Sequence, residues 1–174
     1  QRLVHSSGDL SIGGLLRFRA GACEAGVDAL RAGALILTDT EMAAAAVRPM
    51  ASRTLGASVR TVLEWAPSIA PVGSTRTAAG MDAAWHQLEA DRPAPIVLIG
   101  SAPTALEVLL KLVAEGAALP TLVIGMPVGF VGVAESKRHL AESGLTQIRL
   151  DGTRGGAGLA GAALNSLLRA AQKA

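Results

Sequence analysis

The first segment whose residues could take part in catalysis is Val4-His5-Ser6-Ser7-Gly8-Asp9, near the amino end of the chain. His5 stands where a regular segment gives way to a glycine-containing turn. An imidazole exchanges a proton near neutral pH, so His5 is a candidate general acid or base. The residues alone leave a purely structural role open for it. For His86 and His139, which lie within predicted helices, a structural role is the simpler prediction.

Arginine is the second chemical feature of the sequence. Thirteen of the 16 basic residues are Arg, and they are dispersed along the chain. Dispersed guanidinium groups suit discrete contacts with carboxylates or phosphates. Arg76 stands between Thr75 and Thr77 just before a predicted helix, where the helix dipole disfavours a cation. That position indicates an anionic partner, which is either a ligand or a carboxylate of the protein.

These residues must be positioned by an alternation of short apolar runs and longer helical patterns. The predicted strands are 34–38, 58–63, 95–99, 121–125 and 147–150. The predicted helices are 22–32, 41–47, 77–90, 104–114, 134–142 and 159–171. Strands this apolar require a parallel sheet that is covered on both faces. We therefore predict an α/β fold, a three-layer αβα sandwich with a mainly parallel sheet of about five strands, as a single domain over residues 1–174.

Glycine and small hydroxyl residues collect in the loops that follow the predicted strands. These loops are 39–42, 74–77, 100–104, 126–132 and 151–156. Ligands of parallel sheets bind beyond the carboxyl ends of the strands, where helix N-termini present free N–H groups. The sequence therefore predicts that a bulky anionic ligand binds at this edge, close enough to contact backbone N–H groups.

Neither glycine-rich loop is a good nucleotide motif. Residues 152–156 follow the last strand, and no acidic residue follows at the ribose distance of about 20 residues. Residues 100–104 lack the Gly-Lys-Ser/Thr ending of a P-loop. The simpler prediction there is a strand-to-helix junction with Ser101 as the N-cap and Pro103 in the first turn, which is compatible with ligand contact at Ser101.

Composition excludes several classes of protein. The 174 residues are 50% hydrophobic and 17% charged, which is too apolar for a disordered chain. No apolar run reaches the roughly 18 residues of a membrane span, and no signal sequence opens the chain, so we expect a cytoplasmic protein without membrane association. The absence of a Lys/Arg cluster argues against nucleic acid as a partner. The single Cys23 excludes a disulfide framework, and neither cysteines nor carboxylates suggest a metal site.

Six segments of the sequence together resemble the precorrin-8X methylmutases, the precorrin isomerases of cobalamin biosynthesis. They are VHSSGD (4–9), DTEM (39–42), STRTAA (74–79), GSAPTAL (100–106), MPVGFVGVAESK (126–137) and GTRGGAGLAGAALNSL (152–167). The resemblance runs in the same order from His5 to the end of the chain, and its longest motif is specific.

The resemblance implies an intramolecular transferase that moves a methyl group from carbon 11 to carbon 12 of a tetrapyrrole. The reaction converts precorrin-8X to hydrogenobyrinate, or acts on a cobalt-containing substrate in the anaerobic branch. The resemblance further implies no cofactor, no protein-bound metal and a homodimer whose sites form where the subunits meet. Family members carry some tens of residues before the motif histidine, whereas four precede His5, so we expect that an N-terminal segment is lacking.

The resemblance also assigns roles to residues. It makes His5 the catalytic residue, which protonates the macrocycle, and Arg76 a contact of the substrate. The other substrate contacts that it suggests are Thr75, Ser101, Gly129 and Arg154, the last as a carboxylate partner. Two alternatives stay open at this point: a corrinoid carrier without catalysis, and a generic nucleotide-binding domain.

Overall fold

The computed structural model describes residues 1–88 and 90–173. In that part of the chain a six-stranded sheet forms the centre, in the order β1-β6-β5-β4-β2-β3. The strands are β1 (Leu16–Phe18), β2 (Ile36–Thr38), β3 (Val59–Thr61), β4 (Ile96–Ile99), β5 (Leu122–Gly125) and β6 (Gln147–Leu150). Strands β2 to β6 are parallel, and β1 pairs antiparallel with β6 at the edge. The predicted parallel sheet is confirmed, and β1 is added to it.

Among the described residues, the helices include the six that the sequence predicted and two short ones near the amino end that it did not. They are α1 (Arg2–Ser7), α2 (Ile12–Leu15), α3 (Ala22–Arg31), α4 (Glu41–Thr54), α5 (Arg76–Leu88), α6 (Pro103–Ala114), α7 (Val133–Glu142) and α8 (Ala157–Lys173). Helix α4 is longer than predicted and continues through Pro49. Proline removes one helical hydrogen bond, but Val47 and Ala51 are buried on either side of it and hold the helix on the sheet. Position 89 of the predicted helix 77–90 lies outside the described residues.

Alternate strand residues face two different helix layers. Ile96 and Leu98 of β4 belong to the core formed with α3, α4 and α8. Val97 and Ile99 of the same strand belong to the core formed with α5, α6 and α7. The sheet is thus covered on both faces, which confirms the three-layer αβα sandwich. Within the described ranges, no helix combines the length and the apolar character that crossing a bilayer requires.

The strand order places a topological switch point between β2 and β4. The chain leaves β2 through α4 for the neighbour on one side, and it returns through α5 to β4 on the other side. At such a point the loops beyond the strands diverge and leave a crevice, which is where ligands of this fold class bind. The loops that follow β2 and β4 are therefore the first place to examine for a site.

Candidate active site

The crevice at the switch point is occupied by a side chain of the protein itself. Asp39 follows β2 directly and is fully buried. Its Oδ2 accepts hydrogen bonds from the backbone N–H groups of Gly100, Ser101 and Ala102, at 3.0, 2.6 and 2.7 Å. Burial raises the pKa of the Asp39 carboxyl, and the three N–H donors oppose that rise. An anionic ligand therefore meets N–H groups here that already have a carboxylate partner.

Gly100 closes the same crevice from the other side. A Cβ at this position would lie 2.6 Å from Cα of Ala157, the first residue of α8. The loop after β4 and the start of α8 therefore pack backbone against backbone, which only glycine permits. A ligand at this edge of the sheet has to lie above the crevice, on the surrounding loops.

The loops after β5 and β6 form one unit on that edge. The N–H of Gly129 donates to the carbonyl of Thr153 at 3.1 Å, and the N–H of Gly156 donates to the carbonyl of Met126 at 2.8 Å. Gly155 packs so closely against the carbonyl of Met126 that a Cβ there would clash with it. Gly155 is thus needed for the close contact between the two backbones.

Lys137 holds the loop after β6 in place from the interior of the protein. Its side chain is 1% exposed, and its Nζ donates to the carbonyls of Gly152 at 2.8 Å and Arg154 at 2.5 Å. Burial lowers the pKa of this ammonium to about 8, against a smaller opposing effect of the Asp151 carboxylate. The loop after β6 covers the side chain of Lys137, so this ammonium is buried although it lies in the first half of a helix.

Arg154 connects this loop to the segment that contains His5. Its guanidinium donates to the carboxylate of Asp9 and to the hydroxyl of Ser11. His5 itself lies on α1, which packs against α8, and its side chain is exposed. The structure therefore ties the histidine segment to the loop edge through Arg154, while the imidazole faces outward from the chain.

A wide cavity of about 460 Å³ opens beside the loops, between the starts of α5, α6 and α7. Thr75 lies in its wall, and its Oγ1 is 2.8 Å from Oγ1 of Thr104 and accepts from the N–H of Ala78 at 3.1 Å. The cavity wall also contains Glu107 and Glu135. Two carboxylates make this cavity an unfavourable place for the acidic groups of a ligand.

Large apolar side chains stand exposed at the same edge, on loops and in the first turn of α4. They are Met42 (64% exposed) after β2, Ile69 (80%) and Val72 (105%) after β3, and Val128 (49%), Phe130 (91%) and Val131 (88%) after β5. We call these six residues the apolar rim. Exposed apolar side chains in this number at one edge favour a site for an apolar ligand or for a partner protein.

The comparison with protein families shows which family the chain belongs to. A model of the CbiC family, described as precorrin-8X methylmutase, matches residues 1–170. The chain belongs to the precorrin-8X methylmutase family.

Individual precorrin-8X methylmutases agree with this assignment. The cobalt-precorrin-8 methylmutase of Synechocystis sp. is 37% identical over 97% of this chain and 82% of the relative. The precorrin-8X methylmutase of Pseudomonas aeruginosa is 40% identical over 95% of this chain and 80% of the relative. The solved precorrin-8X methyl mutase of Thermus thermophilus superimposes with a TM-score of 0.85 at 40% identity, covering 98% of this chain and 83% of that one. The predicted family is confirmed, and with it the enzyme class, an isomerase of cobalamin biosynthesis.

Four of the residues predicted for the site lie along one edge of the sheet. Thr75, Ser101, Gly129 and Arg154 all lie on loops that follow strands of the parallel sheet. Ser101 does not cap α6 as expected; the N-cap is Ala102, with Pro103 in the first turn, because the N–H groups there are bonded to Asp39.

All five predicted substrate contacts already have hydrogen-bond partners within the chain; those of Thr75 and Ser101 are given above. The guanidinium of Arg154 is paired with Asp9, so its proposed role toward a ligand is shared with a structural role. The N–H of Gly129 is bonded to Thr153. Arg76 is exposed, and its Nε donates to the carbonyl of Pro67 at 2.8 Å, which holds the loop before α5.

Two residues with evident importance at this edge had no predicted role. Asp39 was part of a recognised motif, but its partners lie 61 to 63 residues away, and spacing along the chain does not indicate them. Lys137 was only the last residue of the segment 126–137 and was given no role of its own. Its position could have indicated burial. The helix of Lys137 follows one glycine-rich loop and lies directly beneath another loop of the same edge.

Proposed function

We propose that this chain binds a tetrapyrrole on the apolar rim and catalyses the shift of a methyl group from carbon 11 to carbon 12, converting precorrin-8X to hydrogenobyrinate. The observation that carries the proposal is the apolar rim itself, which places large exposed side chains around glycine-rich backbone in a member of this family. A flat and largely apolar ring fits a surface of this kind, because the glycines allow close approach to the backbone.

The macrocycle also carries several carboxylates, which need cationic partners around the ring. Arg76 stands at this edge with its Nε bonded to the carbonyl of Pro67, and among the described residues its Nη groups make no hydrogen bond or ion pair. A guanidinium that is oriented in this way can donate hydrogen bonds to a carboxylate from its two terminal NH₂ groups. We therefore assign to Arg76 the binding of one acidic arm of the substrate.

His5 is the proposed general acid. The rearrangement breaks the bond from carbon 11 to the methyl group and forms the bond from carbon 12 to the same methyl group, so no atom is gained or lost. A proton that His5 lends to a ring nitrogen redistributes the π electrons and lowers the barrier, and the proton returns afterwards. A positioned general acid contributes about 10²–10⁴-fold to a rate.

A second copy of the chain completes the proposed site. In one chain the His5 imidazole is exposed, and the apolar rim is open to water. Association of two chains through this edge would bury the rim, exclude water from the ring and enclose the histidine. We propose a homodimer for these reasons, with the substrate held where the two copies meet.

Absorbance spectra recorded after addition of precorrin-8X test the proposal. Rearrangement changes the conjugation of the ring, so we expect the spectrum to convert to that of hydrogenobyrinate under catalytic amounts of protein. A carrier without catalysis would bind hydrogenobyrinate tightly and leave the spectrum of precorrin-8X unchanged. That second outcome would replace the isomerase by a corrinoid-binding protein.

A further inference from the structure

A second hollow, of about 200 Å³, lies between α1, α4 and α8, apart from the cavity beside Thr75. Its walls include Arg2 and Ser6 from α1, Met50 from α4, and Asn165 and Arg169 from α8. The hollow therefore brings together side chains from the first and the last helix of the described chain.

The charge of this hollow is entirely positive. No carboxylate belongs to its lining, whereas the guanidinium-bearing Arg2 and Arg169 both do. Over residues 1–88 and 90–173, neither arginine makes an ion pair. The cavity beside Thr75 is the opposite case, because Glu107 and Glu135 line it. Of the two hollows, only the one between α1, α4 and α8 suits an acidic group.

Asn165 leaves a polar atom unsatisfied in the same place. Its Nδ2 donates to the carbonyl of Ala46 at 3.0 Å, which fixes the orientation of the amide. Its Oδ1 is buried and has no hydrogen-bond partner in the described structure. Buried polar atoms without partners are rare in native proteins, because each costs the free energy of its lost hydration. A carboxylate that enters the hollow would accept hydrogen bonds from the guanidinium groups of Arg2 and Arg169.

The proposed general acid His5 does not line the hollow, but it lies on the helix that supplies Arg2 and Ser6 to the wall. Arg2 and His5 are three residues apart on α1, and Arg2 and Ser6 are four apart, so the three side chains share one face of that helix. A group that is bound between Arg2 and Arg169 is therefore held beside the imidazole.

We propose that Arg2 and Arg169, with Asn165 between them, form a subsite that binds one carboxylate arm of the substrate and so places the ring against His5. This inference rests on the proposed function, since it concerns the same substrate. It adds a binding position that is made by the helices and lies away from the loops of the apolar rim.

Binding of hydrogenobyrinate, measured by its absorbance change or by calorimetry, tests the subsite. We expect Arg169→Gln to weaken the affinity about tenfold, because one charge-assisted contact is lost, and Arg2→Gln to do the same. The methyl-ester form of hydrogenobyrinate has no carboxylates, so its affinity should be the same for the wild type and both variants. Arg138→Gln removes an exposed arginine on α7 and serves as the matched control, with unchanged affinity for both forms.

The outcomes separate the subsite from the proposed function. A wild type that binds neither precorrin-8X nor hydrogenobyrinate would overturn the proposed function. A wild type that binds hydrogenobyrinate while Arg2→Gln and Arg169→Gln bind it equally well would overturn the subsite alone. An equal loss of affinity for the acid and for its ester would also overturn it, because the arginines would then act through the fold and not through a carboxylate.

Discussion

The guanidinium of Arg154 is bonded to the carboxylate of Asp9, although 145 residues separate them in the chain. This pair joins the loop after β6 to the turn after α1. The Arg154 backbone is in turn held by Lys137, which is buried beneath the loop. A continuous series of contacts thus runs from the buried ammonium of Lys137 to the segment that carries His5.

Breaking this connection should slow catalysis more than it weakens folding. In Asp9→Asn the ion pair with Arg154 is lost at the surface, and α1 with His5 is positioned less well. We expect kcat to fall about tenfold, as a displaced general acid would cause, while KM and the midpoint of chemical unfolding change little. Asp28→Asn, which removes an exposed carboxylate on α3, is the control. Unchanged kcat in Asp9→Asn would show that the pair does not position His5.

The ammonium of Lys137 predicts a particular dependence of stability on pH. Its pKa is about 8 in the folded protein, below the ordinary value of 10.5, so the folded state releases this proton before the unfolded chain does. The free energy of unfolding should therefore rise with pH through this window. Relative to Lys137→Met, we expect the wild type to gain about 2 kcal/mol between about pH 7 and about pH 9.5, measured by urea unfolding.

The turnover rate should fall over the pH range in which the free energy of unfolding rises. A neutral amine holds the carbonyls of Gly152 and Arg154 less strongly than an ammonium does, so turnover should decline as the pH passes about 8. Lys111→Met, which removes an exposed ammonium on α6, is measured as the control. A stability difference between Lys137→Met and the wild type that stays constant across this pH range would contradict the assignment.

Asp39→Ala should be among the most destabilising substitutions at this edge. It leaves the N–H groups of Gly100, Ser101 and Ala102 without their acceptor, in a place that water reaches poorly. We expect a loss of about 3 kcal/mol in the free energy of unfolding, measured by chemical denaturation. Asp82→Ala on the exposed face of α5 should change it by less than about 0.5 kcal/mol. Equal effects of the two substitutions would mean that Asp39 does not hold the crevice.

The apolar rim predicts that one substitution affects both assembly and binding. Phe130→Asp places a charge on a side chain that is 91% exposed in one chain and buried in the proposed dimer. We expect light scattering to report monomers and the affinity for hydrogenobyrinate to fall at least tenfold. Leu119→Asp is the matched control, because Leu119 is 61% exposed but precedes β5 at the opposite edge of the sheet. A dimer that survives in Phe130→Asp would remove the rim from the interface.

Much of the fold could be predicted because its strands are nearly all apolar. Runs such as Ile96–Ile99 are buried on both faces, and their pattern alone indicates a parallel sheet. Strand β1 escaped prediction because Leu16–Phe18 is three residues long and partly exposed, so only its pairing with β6 makes it a strand.

The sequence predicted an edge of the sheet for the candidate site, but not the contacts that its residues make. The loops that follow strands identified the edge, since parallel strands all end there. The partners of Asp39 and Arg154 could not be predicted, because they lie 61 to 145 residues away and depend on how the loops pack. The motifs indicated that these residues matter, and the structure indicates what each of them holds.

The rate at which His5→Ala converts precorrin-8X, followed by absorbance, tests the central claim most directly. The side chain is exposed in the chain, so its removal should leave folding and hydrogenobyrinate binding largely intact. We predict that the rate falls about 10²–10⁴-fold, while His86→Ala, at an exposed position on α5, turns over like the wild type. Full turnover by His5→Ala would show that this imidazole does not lend the proton.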